Sequence, residues 1–164
     1  MVFVCCILLV VFYQARYRGK LTHCRNNLLF LGVSAYTYMS SGDIPQGRGR
    51  GFWQDLREEF ERGPDGSYIL RNPDPYICPV LGKTVTDYSD PGAIDYRGPS
   101  RNPAQYSRWD PFGADRKGNH GEGWDRCHVL FVDLHAMTKS EVSRSIQPDP
   151  HEYIWEKVEQ MTSD

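Results

Sequence analysis

LTHCRNNLLFLGVSAYTY, residues 21 to 38, is the stretch that decides the fold. Leu21, Cys24, Leu28, Leu31, Ala35 and Tyr38 recur at alternating spacings of three and four. That is the narrow stripe of a helix packed along one side. Outward toward the N-terminus the chain becomes continuously apolar, Val2 to Phe12 reading VFVCCILLVVF. No proline interrupts Met1 to Ile44, and Gly19 and Gly32 weaken a helix only slightly. Ser40, Ser41, Gly42 and Pro45 form a stop signal. The pattern predicts one helix of about forty residues, roughly 60 Å long at 1.5 Å per residue. Two helices broken at Gly19 are the alternative.

The apolar run is shorter than the about 20 residues that span a bilayer. As a signal-peptide core it lacks a basic region before it and a small-x-small cleavage site after it. A buried helix of a soluble protein is another reading. A membrane anchor, partial or cut at its start, is the expectation adopted. Tyr13 stands where an interfacial aromatic would, with Arg16, Arg18 and Lys20 behind it. By the positive-inside rule this cluster directs the remainder of the chain to the cytoplasm. The orientation stays open at this point.

The rest of the chain reads as a head. With 164 residues the protein has room for one modest domain and an extra helix. A net charge of −2 gives no basic excess for nucleic acid and no acidic tail. Mean hydropathy is negative, so the greasy N-terminus stands apart. Gln46 to Gly51 (QGRGRG) is a flexible basic loop, with too little aromatic interleaving to mark an RNA site. Phe52 to Glu61 is a short amphipathic helix with Phe52, Trp53, Leu56 and Phe60 on one side. Gly63 to Gly66 is a turn, and Tyr68 to Leu70 and Ala93 to Arg97 are short strands. Asn102 to Gly123 reads as an irregular loop. His128 to His135 (HVLFVDLH) is the best strand, with Val129, Phe131 and Asp133 on one face and Leu130, Val132 and Leu134 on the other. Asp149 to Met161 is a terminal helix. Strands follow helix without βαβ alternation, so the class is α+β: a long N-terminal helix on a small antiparallel sheet, with short extra helices. Residues 1–45 form the anchor and amphipathic helix, and residues 46–164 the head.

Three separated stretches carry a family resemblance. Gln14 to Pro45 contains Ala15, Arg16, Cys24, Asn26, Asn27, Leu28, Tyr36, Gly42 and Pro45 in a C-x-N-N-L pattern closing on G-x-x-P. Tyr76 to Pro79 (YICP), with Cys78 and Pro79, is followed by the tyrosine stretch Ala93 to Pro99. Gly118 to His135 holds His120, Gly121 and Gly123, then Val129, Leu130, Phe131, Asp133 and His135. Together they resemble bacterial type IV pilin-like proteins, the prepilin-type H-X9-DG (DUF1559) group. The resemblance implies a structural, non-catalytic subunit of a type IV pilus or type II secretion assembly. Such a pseudopilin has a single anchor in the inner membrane, a periplasmic or extracellular head, and other pilin-like subunits as partners through its N-terminal helix. An anchored periplasmic ligand- or calcium-binding module that does not polymerise is the alternative. Leu134 stands where the motif has glycine, which argues against a left-handed turn there. The chain shows no prepilin cleavage site with its following glutamate, so Met1 is expected to fall inside the anchor helix.

Candidate sites follow from residue type. Asp110, Asp115, Asn119, Glu122 and Asp125 supply hard oxygen donors, and related heads bind calcium in a C-terminal loop. Asp115-x3-Asn119 is not EF-hand spacing, so a solvated loop is the simpler expectation. His120, Cys127, His128, Asp133 and His135 invite zinc, but strand alternation puts His128 and His135 on opposite faces. Turn hydrogen bonds are the expectation for Asp133 and His135. Of Cys24, Cys78 and Cys127, at most two pair in a disulfide. Cys5 and Cys6 are expected to act as small hydrophobes. No G-x-S-x-G or C-x-x-C motif supports catalysis or redox exchange.

Overall fold

The periodic stretch and the apolar run belong to one helix, α1 (Val2–Ser40), 39 residues long and unbroken at Gly19. The computed structural model describes residues 2–61, 74–83, 91–100, 102–116, 118–121, 126–138 and 141–142. α1 ends as its stop signal requires: Ser41 and Gly42 donate to the carbonyls of Tyr38 and Met39, with Gly42 at φ +99°. Cys24, Leu28, Leu31 and Ala35 are fully buried, and Leu21 and Tyr38 are half-buried. The stripe read from the sequence is the packed face.

The second helix, α2 (Arg50–Glu61), begins two residues before its expected start. It buries Phe52, Trp53 and Leu56, while Phe60 stays partly exposed beside Tyr38. Buried Arg57 forms a two-pronged ion pair with Asp74 at 2.7 and 3.0 Å and lies over the Tyr76 ring. This ties α2 to the segment that carries Cys78.

Four strands form an antiparallel meander in chain order: β1 (Tyr96–Arg97), β2 (Pro111–Asp115), β3 (His128–Phe131) and β4 (Ala136–Thr138). The architecture is α+β, a long helix packed on a small antiparallel sheet. Two sequence expectations are corrected here. The stretch 102–123 is not wholly irregular, because β2 runs through it between β1 and β3. Proline, glycine and aspartate are poor strand formers, so local propensity hides a strand that burial imposes. Likewise His128 to His135 is not one strand; it turns at Val132–His135 and returns as β4.

A register shift in β2 decides what faces the helix. Pro111 pairs with Phe131 and Gly113 with Leu130, so two β2 steps oppose one β3 step. The bulge reverses the alternation. Phe112, in the bulge itself, packs under α1 and α2, and Asp115, beyond it, reaches Cys24 of α1. On β3, Leu130 joins the core under α1, while Val129 and Phe131 pack on the opposite face with Cys127, Ala114 and Val142.

The β3–β4 turn overturns the reading of Leu134. It has φ +63° despite its side chain, a conformation costing about 1–2 kcal/mol for a non-glycine residue. Its Cδ2 atom would lie 2.9 Å from a Cβ placed on Gly32. The leucine occupies the left-handed position while its side chain packs on the bare face of α1.

The first third of α1 is different. Phe3, Val4 and Ile7 to Tyr13 stand exposed, Phe12 at 69% and Tyr13 at 72%. No helix among the described residues is long and apolar enough to cross a membrane. The expected turn at 63–66, the strand at 68–70 and the terminal helix at 149–161 lie outside the described residues.

Candidate functional site

Where α1 crosses the sheet, five titratable side chains from five parts of the chain meet in the interior. α1 supplies Cys24 and the 74–83 segment supplies Cys78. β2 supplies Asp115, the β2–β3 connection His120, and β3 His128. None is more than 5% exposed. Each arrives for a local reason. Cys24 lies on the packed stripe of α1. Cys78 is fixed by its backbone N–H donating to Asp95, and by Asn27 of α1 donating to the carbonyl of Ile77. The bulge turns Asp115 inward. Asn119 donates to the carbonyl of Asp95, anchoring the turn that presents His120.

Cys24 Sγ is 3.6 Å from Cys78 Sγ, 3.2 Å from His120 Nε2, 3.0 Å from Asp115 Oδ1 and 3.1 Å from the Tyr96 hydroxyl. His120 Nε2 is also 3.3 Å from Cys78 Sγ. Its other ring nitrogen, Nδ1, lies 2.6 Å from the carbonyl of Arg126. Asp115 Oδ2 accepts from the backbone N–H of His128 at 2.7 Å and lies 3.0 Å from His128 Nδ1. All five cysteines are free thiols, so no disulfide joins Cys24 to Cys78.

The electrostatics separate the two thiols. A hydrogen bond from Cys24, opposed by burial and helped by His120, brings the Cys78 thiol down to about 6. Burial, then Cys78 and Asp115, pushes Cys24 far up. Burial lowers His120, but hydrogen bonding to Cys78 and the Asp115 charge outweigh it and raise the imidazole to about 9. Burial and the neighbouring Cys24 and Asp115 charges hold Tyr96 well above its ordinary value. Cys78 is thus the more easily ionised thiol, His120 the more basic imidazole, and Cys24 the harder thiol to ionise. Thiolate, imidazole and carboxylate are also metal-ligating chemistry. One donor atom from each of Cys24, Asp115, His120 and His128 lies within 4.8 Å of all the others.

The sequence-based sets divide against this geometry. Of the zinc set, His120 and His128 are in the cluster. Cys127 faces the other side of the sheet. Asp133 and His135 belong to the β3–β4 turn, where His135 Nδ1 lies 3.1 Å from Asp133 and Arg108 donates to Asp133 at 2.9 Å. Of the calcium set, Asp110 accepts from Ser107 N–H and its hydroxyl, Asn119 bonds Asp95, and Asp115 belongs to the cluster. These three side chains go to three different partners, while Glu122 and Asp125 lie outside the described residues. Nothing local in the sequence joins Cys24, Cys78 and Asp115 in one cluster, because 54 and 91 residues separate Cys24 from the other two. Of the other motif residues, Asn27 braces the Cys78 segment, Leu28 and Phe131 are core, Asn26 is exposed and Pro79 half-buried.

Fold and site together define a class: an α+β head gripping the second half of a long helix, with a thiol–imidazole–carboxylate cluster at the grip. Set against protein-family models, curated proteins and solved structures, the chain matches none.

Proposed function

We propose that this chain is a non-catalytic, pilin-like subunit. The apolar third of α1 holds it at the bacterial inner membrane and bundles with the same helix of other subunits, and the head lies on the periplasmic side. The observation that carries this reading is the division of α1. Nine large apolar side chains between Phe3 and Tyr13 are exposed around the whole helix, and a helix apolar on all sides is stable only inside an apolar environment. Burying such a side chain contributes about 1.5–3 kcal/mol. Nine of them together contribute about 13–27 kcal/mol, against the about 4–15 kcal/mol that association costs. Lipid and neighbouring helices together supply cover on every side.

Two further observations support it. The residues that carry the resemblance, Cys24, Asn27, Cys78 and His120, come from three distant stretches and meet at one place. The Cys78–His120 pair has the chemistry of a nucleophile and base, yet both side chains are buried, which withholds the sulfur from a substrate in solution.

The test is fractionation of cells making the full chain, with external protease added to spheroplasts. Membrane recovery, digestion of the head from outside, and release by Leu8→Asp with Phe12→Asp are expected. A monomeric full chain in the soluble fraction, or a head shielded from external protease, contradicts the reading.

A further inference from the structure

The pilin-like reading leaves the buried cluster without a task, and burying so many ionisable groups together is costly unless something pairs them all. We propose that Cys24, Cys78, His120 and Asp115 form a closed structural site for a zinc(II) ion that locks α1 to the head. The inference stands on the cluster alone and holds whether or not the chain assembles.

Spacing is the first argument. A tetrahedral zinc ion with Zn–S near 2.3 Å and Zn–N near 2.0–2.1 Å places two sulfurs roughly 3.8 Å apart, and sulfur and nitrogen roughly 3.6 Å apart. The triangle Cys24 Sγ, Cys78 Sγ and His120 Nε2 has edges of 3.6, 3.2 and 3.3 Å. A few tenths of an ångström of outward movement would fit the ion. A disulfide would instead require the sulfurs to close from 3.6 Å to about 2.05 Å.

The outer partners are the second argument. Metal-binding histidines usually donate their other ring N–H to a carbonyl or carboxylate. His120 Nδ1 sits 2.6 Å from the Arg126 carbonyl, which leaves Nε2 directed at both sulfurs. Asp115 is held the same way: its Oδ2 takes the backbone N–H and faces Nδ1 of His128, while Oδ1 faces Cys24. The Tyr96 hydroxyl, 3.1 Å from Cys24 Sγ, is placed to donate to a bound thiolate. Two thiolates with an imidazole select zinc over calcium or magnesium. Four buried protein ligands leave no open position, so the ion is structural and not catalytic.

The experiment uses the full chain in detergent with a non-chelating reductant. Zinc is counted by mass spectrometry after dialysis, and cobalt(II) is titrated into chelator-stripped protein. One zinc per chain is expected, together with thiolate-to-cobalt charge-transfer bands and intense visible bands of tetrahedral cobalt. Cys24 and Cys78 should resist alkylation until a chelator is added. Cys127→Ser should leave affinity unchanged. His128→Ala, which removes an outer partner and no ligand, should weaken it about 10–100-fold, and Cys78→Ser should cut the charge-transfer intensity to about half, that of the one remaining thiolate. Should Cys78→Ser fail to fold, the cobalt spectrum of the unaltered chain decides. Reduced protein that takes up no stoichiometric zinc or cobalt overturns the proposal. So does a Cys24–Cys78 disulfide in protein isolated without reductant.

Discussion

The two ends of α1 obey the same backbone rules and meet opposite fates. Residues 24–35 sink Cys24, Leu28, Leu31 and Ala35 completely, whereas residues 3–13 leave Phe3, Leu9, Phe12 and Tyr13 in the open. What differs is sidedness. Around Cys24 the apolar residues keep to one stripe, and polar Arg25, Asn26 and Thr37 take the others. Around Leu8 no polar stripe exists. A striped helix is satisfied by one sheet, while an unstriped one needs cover on every side, which its own head cannot give.

The largest expected effect lies in the packed half. Leu28→Ala and Leu31→Ala should each lower unfolding free energy by about 2–5 kcal/mol, since each leaves a cavity under the sheet. Leu8→Ala and Leu9→Ala should stay within about 0.5 kcal/mol for the isolated chain. Urea denaturation of the four variants checks the contrast, and equal losses in both halves would contradict it.

The two glycines of α1 give a smaller version of the same test. Gly19 has nothing within 4 Å of an added Cβ, whereas at Gly32 that atom would sit 2.8 Å from Leu130 Cδ2 and 2.9 Å from Leu134 Cδ2. Gly19→Ala should gain up to about 1 kcal/mol of helix propensity. Gly32→Ala should forfeit that gain to overpacking of about 1–3 kcal/mol. Thermal melts that rank Gly32→Ala above Gly19→Ala would show that the sheet does not press on α1 there.

Leu134→Gly follows. It relieves a left-handed leucine worth about 1–2 kcal/mol and removes the contact with α1 at Gly32. The opposing terms should leave stability within about 1 kcal/mol of the parent, measured by the urea midpoint.

The smallest effect is a pH dependence at the same turn. Burial raises Asp133, but hydrogen bonds from Arg108 and His135 outweigh it and hold the carboxyl below its ordinary 3.8. A depressed folded value means the unfolded chain takes up the proton first. The contribution is therefore complete above about pH 5 and fades as pH falls through 3.8 toward the folded value. Asp133→Asn should flatten the urea midpoint between pH 5 and pH 3, and an unchanged slope would remove Asp133 from the account.

The sequence makes some of this legible. The stripe from Leu21 to Tyr38 and the amphipathic Phe52–Phe60 pattern stand out because helical period survives in one dimension. Strand β2 does not, because Pro111, Gly113 and Asp115 become a strand only through burial between neighbours. The cluster is illegible for a similar reason. A local search finds Cys127 beside His128, yet the pleat sends Cys127 to the far face, and the partners of His120 come from 96 and 42 residues away. A signal was present all the same: each of the three motif stretches brings a metal-type side chain to the cluster, Cys24, Cys78, and His120 with His128.

The division of α1 is tested most directly by the thiols it already carries. Cys5 and Cys6 lie on the exposed third, while Cys24, Cys78 and Cys127 are buried. Native membranes from cells making the full chain are treated with a water-soluble maleimide, and separately with a short bifunctional thiol cross-linker. Cys5 and Cys6 should be shielded until detergent is added, and cross-linking should join chains through them into ladders. Cys5 and Cys6 labelled at once without detergent, with chains remaining single, would contradict it.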